Sequence, residues 1–66
     1  MAKTENYAEL LKAERKARKL SQEAMAELID ISPVVYGLWE RGKQYPSDES
    51  VMKIRKATGI ELGVRA

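Results

Sequence analysis

The sequence lacks several residue types on which common functions depend. It contains neither cysteine nor histidine, which excludes internal disulfides, thiolate chemistry and the usual zinc ligand sets. No apolar run approaches the roughly 18 residues that a membrane span needs, and the start MAKTENYAELL has no apolar signal segment. We therefore expect a cytoplasmic protein that does not enter a membrane.

Catalysis also has little support in the sequence. The acidic residues Glu14, Glu27 and Asp30 are scattered and form no paired-carboxylate arrangement for general acid–base catalysis. The sequence has no acidic cluster that would indicate a metal site. A chain of 66 residues also has little room for a pocket. We expect no enzymatic activity, no cofactor and no metal.

The charge is mildly basic, with 12 Lys and Arg against 10 Asp and Glu, a net charge of +2 and a pI near 9.0. That balance permits nucleic-acid binding without requiring it. The distribution is more informative, since one basic group lies between Lys12 and Lys19 and Arg41 and Lys43 form another. The two groups are suited to flank a phosphate backbone, although solvated helix faces explain them equally well.

The chain is organised around residues 21–40, SQEAMAELIDISPVVYGLWE. Ser21 is suited to cap a helix over 22–29, and the apolar spacing of that segment is helical. Ser32 is suited to cap a second helix over 33–40, in which Pro33 takes the first position. Two short helices joined by a tight turn predict a helix-turn-helix, whose second helix can enter the DNA major groove.

Helical patterns flank this motif on both sides. Asn6 and Glu9 form a candidate capping box for a first helix over 7–18, with Leu10 and Leu11 as its core anchors. A fourth helix is predicted between Ser47, its cap, and Gly59, its stop, with Ile60 packing back onto the core. No strand pattern appears, so a single all-α domain over 1–66 is expected, with residues 1–5 frayed and a short tail at 61–66.

The segments RKARKLSQEAMAEL, WERGKQYPS and VMKIRKATGI carry a family resemblance in their order and spacing. Together they resemble the phage-repressor and Cro type of helix-turn-helix domain, also called the xenobiotic-response-element type, over about residues 10–60. The resemblance implies a lambda-repressor-like bundle of four to five helices that binds double-stranded DNA. It also implies a sequence-specific regulator of transcription, of repressor type and of phage or mobile-element origin.

The resemblance also implies roles for individual residues. A buried structural ion pair would join Arg15 to Glu40, and Gln22 would contact a backbone phosphate. The family's DNA-facing positions in and after the third helix are occupied here by Ser32, Pro33, Val34, Val35, Gly37, Leu38, Arg41, Lys43 and Gln44. Of these, the last three match loop positions that hold phosphates, while Pro33, Val34, Gly37 and Leu38 match base-reading positions on an exposed face.

The sequence departs from the family pattern in three places. No Gln, Arg, Asn, Ser or Lys lies between Pro33 and Trp39, so base contacts reduce to thymine methyls at Val34 and Leu38. Asp30 stands where the family's turn has glycine, although Asp tolerates the left-handed conformation better than most residues. The tail ELGVRA is too short for a full fifth helix, which leaves the family's homodimer open.

A second reading therefore stands beside the first. Leu28, Val34 and Leu38 form a candidate apolar patch, and such patches often mark protein contacts. The chain would then be a protein-interaction module or an antitoxin-like partner that uses the apolar face of its third helix. By spacing, Tyr36 and Trp39 are expected in the core rather than in either interface.

Overall fold

A computed structural model describes residues 6–62 of the chain, and the expected frayed start at 1–5 and the end of the tail at 63–66 lie outside it. Its helices are α1 Tyr7–Ala17, α2 Gln22–Ile29, α3 Pro33–Glu40 and α4 Asp48–Thr58. The all-α prediction is confirmed. Residues 61 and 62 are not helical, so the described chain has four of the four to five helices expected. None of the helices between residues 6 and 62 is long and apolar enough to cross a bilayer.

Three serines begin helices, as predicted. The Ser21 hydroxyl oxygen accepts the Ala24 N–H at 3.0 Å, and the Ser32 oxygen accepts the Val34 N–H at 3.1 Å. Ser47 does the same for the Ser50 N–H at 3.2 Å. Each oxygen satisfies a backbone donor that the first helical turn leaves without a partner, which fixes where the helix starts.

Two junctions between helices use the left-handed backbone conformation at residues that are not glycine. Asp30 has φ 75° at the end of α2, as predicted, and the Lys53 ammonium on α4 donates to its carbonyl oxygen at 3.0 Å. Lys19 has φ 58° after α1, which the sequence did not predict. The turn at Lys19 is closed by the Leu20 N–H, which donates to the Arg15 carbonyl at 3.1 Å.

Two expectations for α1 are wrong. Asn6 does occupy the cap position, but its side chain makes no capping hydrogen bond and its backbone is not extended as a cap requires. Leu10 is 37% exposed, whereas Leu11 is fully buried. Adjacent helical residues point about 100° apart, so the helix buries one leucine and leaves the other at the edge.

The core lies where α1 and α2 pack against α3 and where α2 packs against α4. Its buried members are Leu11, Met25, Ala26, Ile29, Tyr36, Trp39, Val51, Ile54 and Leu62. The Tyr36 and Trp39 rings are fully buried, as predicted, and meet edge to face with centroids 5.9 Å apart. Ile60 packs against this core as predicted, and Leu62 from the unassigned tail joins it.

Candidate nucleic-acid interface

The helix-turn-helix is formed by α2 and α3, with Asp30 to Ser32 between them. The left-handed Asp30 ends α2, and the N–H groups of Asp30 and Ile31 both donate to the Ala26 carbonyl. Ser32 then begins α3 at once. The turn is therefore closed by local hydrogen bonds, and the two helices pack against each other along their apolar sides.

The ion pair implied by the resemblance is present. Arg15 Nε donates to Glu40 Oε2 at 2.7 Å, and Arg15 Nη2 donates to Glu40 Oε1 at 3.1 Å. The Glu40 side chain is only 2% exposed and that of Arg15 is 16% exposed. This fork geometry joins α1 to the last residue of α3.

Glu40 also accepts hydrogen bonds from two neutral side chains. The Tyr36 hydroxyl donates to Oε2 at 2.6 Å, and Gln22 Nε2 donates to Oε1 at 3.0 Å. Burial pushes the pKa of Glu40 upward, but the hydrogen bonds from Arg15, Tyr36 and Gln22 outweigh it, so the pKa lies below its usual value. Burial and the bond to Glu40 raise the pKa of Tyr36. The cluster therefore holds a carboxylate ionised inside the domain and connects α1, α2 and α3 through it.

Gln22, the expected phosphate contact, is thus held within the domain by Glu40. Its side chain is half-buried at the first position of α2. The helix geometry also leaves the backbone N–H groups of Gln22 and Glu23 without acceptors inside the helix. The positive end of α2 and an oriented carboxamide lie together at this point, an arrangement that favours an anion.

The expected DNA-facing residues of α3 differ widely in exposure. Ser32, Pro33 and Val34 are exposed, with Val34 72% accessible. Val35 and Leu38 are half-buried and so less accessible, and Val35 packs against the core. The accessible part of this face is therefore the first turn of α3 rather than its whole length.

Gly37 itself is buried, contrary to the expectation, although it lies on the same side of α3 as the exposed Pro33. A Cβ built on Gly37 would lie 3.4 Å from Arg41 Nη1 and 3.6 Å from Gln22 Oε1. Both neighbours are the polar ends of side chains from the expected phosphate-binding positions. The missing side chain at 37 thus leaves room for the ends of the Gln22 and Arg41 side chains above α3.

The loop after α3 carries the second group of expected DNA contacts. Arg41, Lys43 and Gln44 are all exposed. Gly42 takes the left-handed conformation with φ 72°, and the Lys43 N–H donates to the Leu38 carbonyl at 2.9 Å. Tyr45 anchors the loop by packing its ring edge-on to Tyr7 at 4.7 Å. The loop therefore has a folded base that presents its polar side chains outward.

Leu28, expected in an apolar patch with Val34 and Leu38, is 43% exposed. It lies beside a shallow groove towards α4, which Asp30, Lys53 and Lys56 also line. Leu28 belongs to α2 and Val34 to α3. The immediate neighbours of Leu28 along the groove include charged side chains.

Comparison with known families decides the classification. The chain matches the family model described as helix-turn-helix over residues 11–64. The chain belongs to this helix-turn-helix family. The family is the phage-repressor and Cro type, whose members are DNA-binding domains and not enzymes, so this helix-turn-helix protein is a DNA-binding domain. No match was found among curated proteins or among solved structures.

The sequence did not reveal all of the side chains that build this interface. Tyr36 was expected only as core, yet its hydroxyl is part of the Glu40 cluster and also reaches the Leu11 carbonyl at 3.3 Å. Its spacing of four from Glu40 was a usable signal. The position of the Gln22 side chain above Gly37 had no comparable signal, since it depends on how α2 lies against α3.

Proposed function

We propose that this helix-turn-helix protein is a sequence-specific regulator of transcription, of the repressor type that phages and mobile elements encode. The observation that carries the proposal is the pairing of a rigid support with an exposed first turn of α3. The Arg15–Glu40 pair anchors the end of α3 in the domain, while Pro33 and Val34 stand exposed at its start. A helix held in this way can enter the major groove of double-stranded DNA.

Backbone phosphates would be bound at the start of α2 and by the loop after α3. The free N–H groups of the first turn of α2 and the Gln22 carboxamide suit one phosphate. Lys43 and Gln44 extend from the loop and suit another. Such contacts fix the register of the protein on the duplex without reading its sequence.

Apolar contacts would read part of the sequence. Val34, 72% exposed, can touch a thymine methyl group, as can the accessible part of Leu38. Pro33 adds shape but no hydrogen-bond donor. Selectivity at these positions would therefore depend on thymine methyls and on the shape and deformability of the site.

We also propose an oligomeric state and a cellular location. A homodimer would bind two half-sites about 34 Å apart, one turn of the duplex. The domain would act in the cytoplasm. A palindromic site in a binding selection, together with the mass of the protein on DNA, tests the dimer directly.

A salt titration tests DNA binding through these phosphate contacts. The wild type is measured on random-sequence duplex DNA beside the double variant Gln22→Ala, Lys43→Ala. The variant should bind all sequences more weakly. Losing the Lys43 contact should also reduce the steepness of the fall of log K with log salt, by about 1 in the slope. Lys56→Ala, an exposed lysine on α4, is the matched control and should keep the wild-type slope. An unchanged slope in the double variant would refute the assignment.

Exposed apolar side chains favour one second candidate, a protein-interaction module or antitoxin-like partner. Leu28 is 43% exposed and Val34 72% exposed, and both are large enough to anchor a protein contact. Under this reading DNA binding is weak, unselective and lost near physiological salt. A pull-down with wild type and Leu28→Glu would then recover a partner only with the wild type.

A further inference from the structure

We propose that Arg41 is a specificity-determining residue that binds a guanine base in the major groove. Its guanidinium lies back across α3 over Gly37 and there supplies the hydrogen-bond donors that the side chains of α3 lack. This inference rests on the proposed function, because it assumes that α3 enters the groove. It goes beyond that function by naming a base and the residue that recognises it.

The position of the guanidinium follows from helix geometry. Arg41 caps α3 and follows Gly37 by four residues, so the two share one helix face with Pro33. Side chains of helical residues lean towards the helix N-terminus and cover the preceding turn. Accordingly, Arg41 Nη1 lies 3.4 Å from the point that a Cβ of residue 37 would occupy.

The same guanidinium is free to bind a ligand. Among the arginines between residues 6 and 62, Arg15 is paired with Glu40, Arg18 with Glu14 and Arg55 with Glu61. The side chain of Arg41 has no hydrogen-bond or ion-pair partner in that part of the chain, and it is exposed. All of its donors are therefore available in the planar fork that matches two acceptors on one edge.

The side chains of α3 cannot supply such donors themselves. The Tyr36 hydroxyl is buried and donates to Glu40. The Trp39 indole N–H is buried as well and lies away from solvent without a partner among the described residues. An exposed donor on this face therefore has to come from a neighbouring element, and Arg41 is placed there.

Guanine is the base that fits this group. Its major-groove edge presents two acceptors, N7 and O6, and an arginine fork binding both is the commonest specific protein–DNA contact. Lys43 and Gln44 remain in the loop for phosphates, which need only a charge or a single donor. Arg41 differs from them because it lies along the helix that is proposed to enter the groove.

The test is a binding selection from a randomised duplex library. Wild type, Arg41→Lys and Arg41→Ala are compared, with Arg55→Lys as the matched control for the same exchange on α4. Arg41→Lys keeps the charge but loses the fork. We expect it to lose preference for one guanine by roughly 5- to 150-fold while keeping its affinity for random sequence. Arg55→Lys should select the wild-type site.

A second variant changes the position of Arg41 without changing its chemistry. Gly37→Leu places a bulky apolar side chain where the guanidinium lies and should displace it. The expected result is the same loss of guanine preference as in Arg41→Lys, with a helical circular dichroism spectrum and a cooperative melt showing that the domain still folds. Retained guanine preference in folded Gly37→Leu would contradict the proposed position.

The outcomes separate this inference from the proposed function. If Arg41→Lys keeps the guanine preference and Arg41→Ala weakens binding to all sequences alike, Arg41 is a phosphate contact and the inference is wrong. If the wild type binds DNA but selects no guanine, the inference fails while DNA binding stands. If the wild type binds no duplex at all, the proposed function fails and the inference fails with it.

Discussion

The guanidinium of Arg15 and the carboxylate of Glu40 form a two-point hydrogen-bonded ion pair between α1 and the end of α3. Gln22 from α2 and Tyr36 from α3 donate to the same carboxylate. One buried charge thus connects the three helices that form the candidate DNA-binding side of the domain.

Glu40→Ala should destabilise the domain strongly. Arg15 would be left as a largely buried charge without its partner, and Tyr36 and Gln22 would lose their acceptor. Breaking a buried pair on one side costs about 3–5 kcal/mol, which is a large part of the stability of a domain this small. Urea unfolding measures the change, with exposed Glu49→Ala as the control. A loss no larger than that of the control would contradict the buried pair.

Acid should destabilise the protein partly through the same carboxylate. The pKa of Glu40 is lower in the folded chain than in the unfolded chain, so the unfolded state takes up its proton first as the pH falls. The stability linked to Glu40 is therefore complete above the ordinary glutamate pKa of about 4.3 and is lost as the pH falls through the folded value.

The free energy of unfolding from pH 7 to pH 2 checks this effect in wild type and Glu40→Gln. We expect a steeper fall below about pH 4.3 in the wild type, because the variant has no charge to lose at this position. The fall in the free energy of unfolding that remains in Glu40→Gln comes from protonation of the other carboxylates. Parallel curves for the two proteins would show that Glu40 has no depressed pKa.

Gly37→Ala should stabilise the domain by up to about 1 kcal/mol, since alanine is the better helix former at an interior position. The added Cβ would meet Arg41 Nη1 at 3.4 Å and Gln22 Oε1 at 3.6 Å, which is ordinary contact. Gly59→Ala is the matched comparison and should destabilise, because Gly59 has φ 85°. Thermal melts of both variants measure the effect. A lower melting midpoint for Gly37→Ala would mean that the space above residue 37 cannot hold a Cβ.

Lys19→Gly should also raise stability, though modestly. Lys19 holds φ 58°, a conformation that costs a residue with a Cβ about 1–2 kcal/mol and costs glycine almost nothing. Part of the gain is offset because glycine is more flexible in the unfolded chain. Lys19→Ala separates the backbone effect from the loss of charge and should not stabilise. Equal melting midpoints for the two variants would contradict a left-handed Lys19.

The sequence predicts local structure well where a side chain acts on its own backbone. Ser21, Ser32 and Ser47 each accept a hydrogen bond from a backbone N–H within three residues, so each marks the start of its helix through a short-range contact. Pro33 and the left-handed Asp30 act over equally short distances. For that reason the bounds predicted for α2 and α3 agree with the structure.

Features that depend on how helices meet were harder to predict. Leu10 and Leu11 are equally apolar, and only the placement of α1 against α3 decides that Leu11 is the buried one. Leu62 joins the core through a return of the chain after α4, which no periodicity signals. Gly37 was expected to be exposed and is buried, because the side-chain ends of Gln22 and Arg41 lie above it.

Nuclear magnetic resonance shows directly whether the first turn of α3 lies against DNA. Backbone amide shifts are followed while a short duplex carrying a selected site is added to the labelled protein. If it does, the largest changes fall on the amides of Gln22, Ser32, Val34 and Arg41 to Gln44, with residues of α4 such as Met52 unchanged. Changes confined to α4 or to the surroundings of Leu28, with the first turn of α3 unaffected, would contradict this placement.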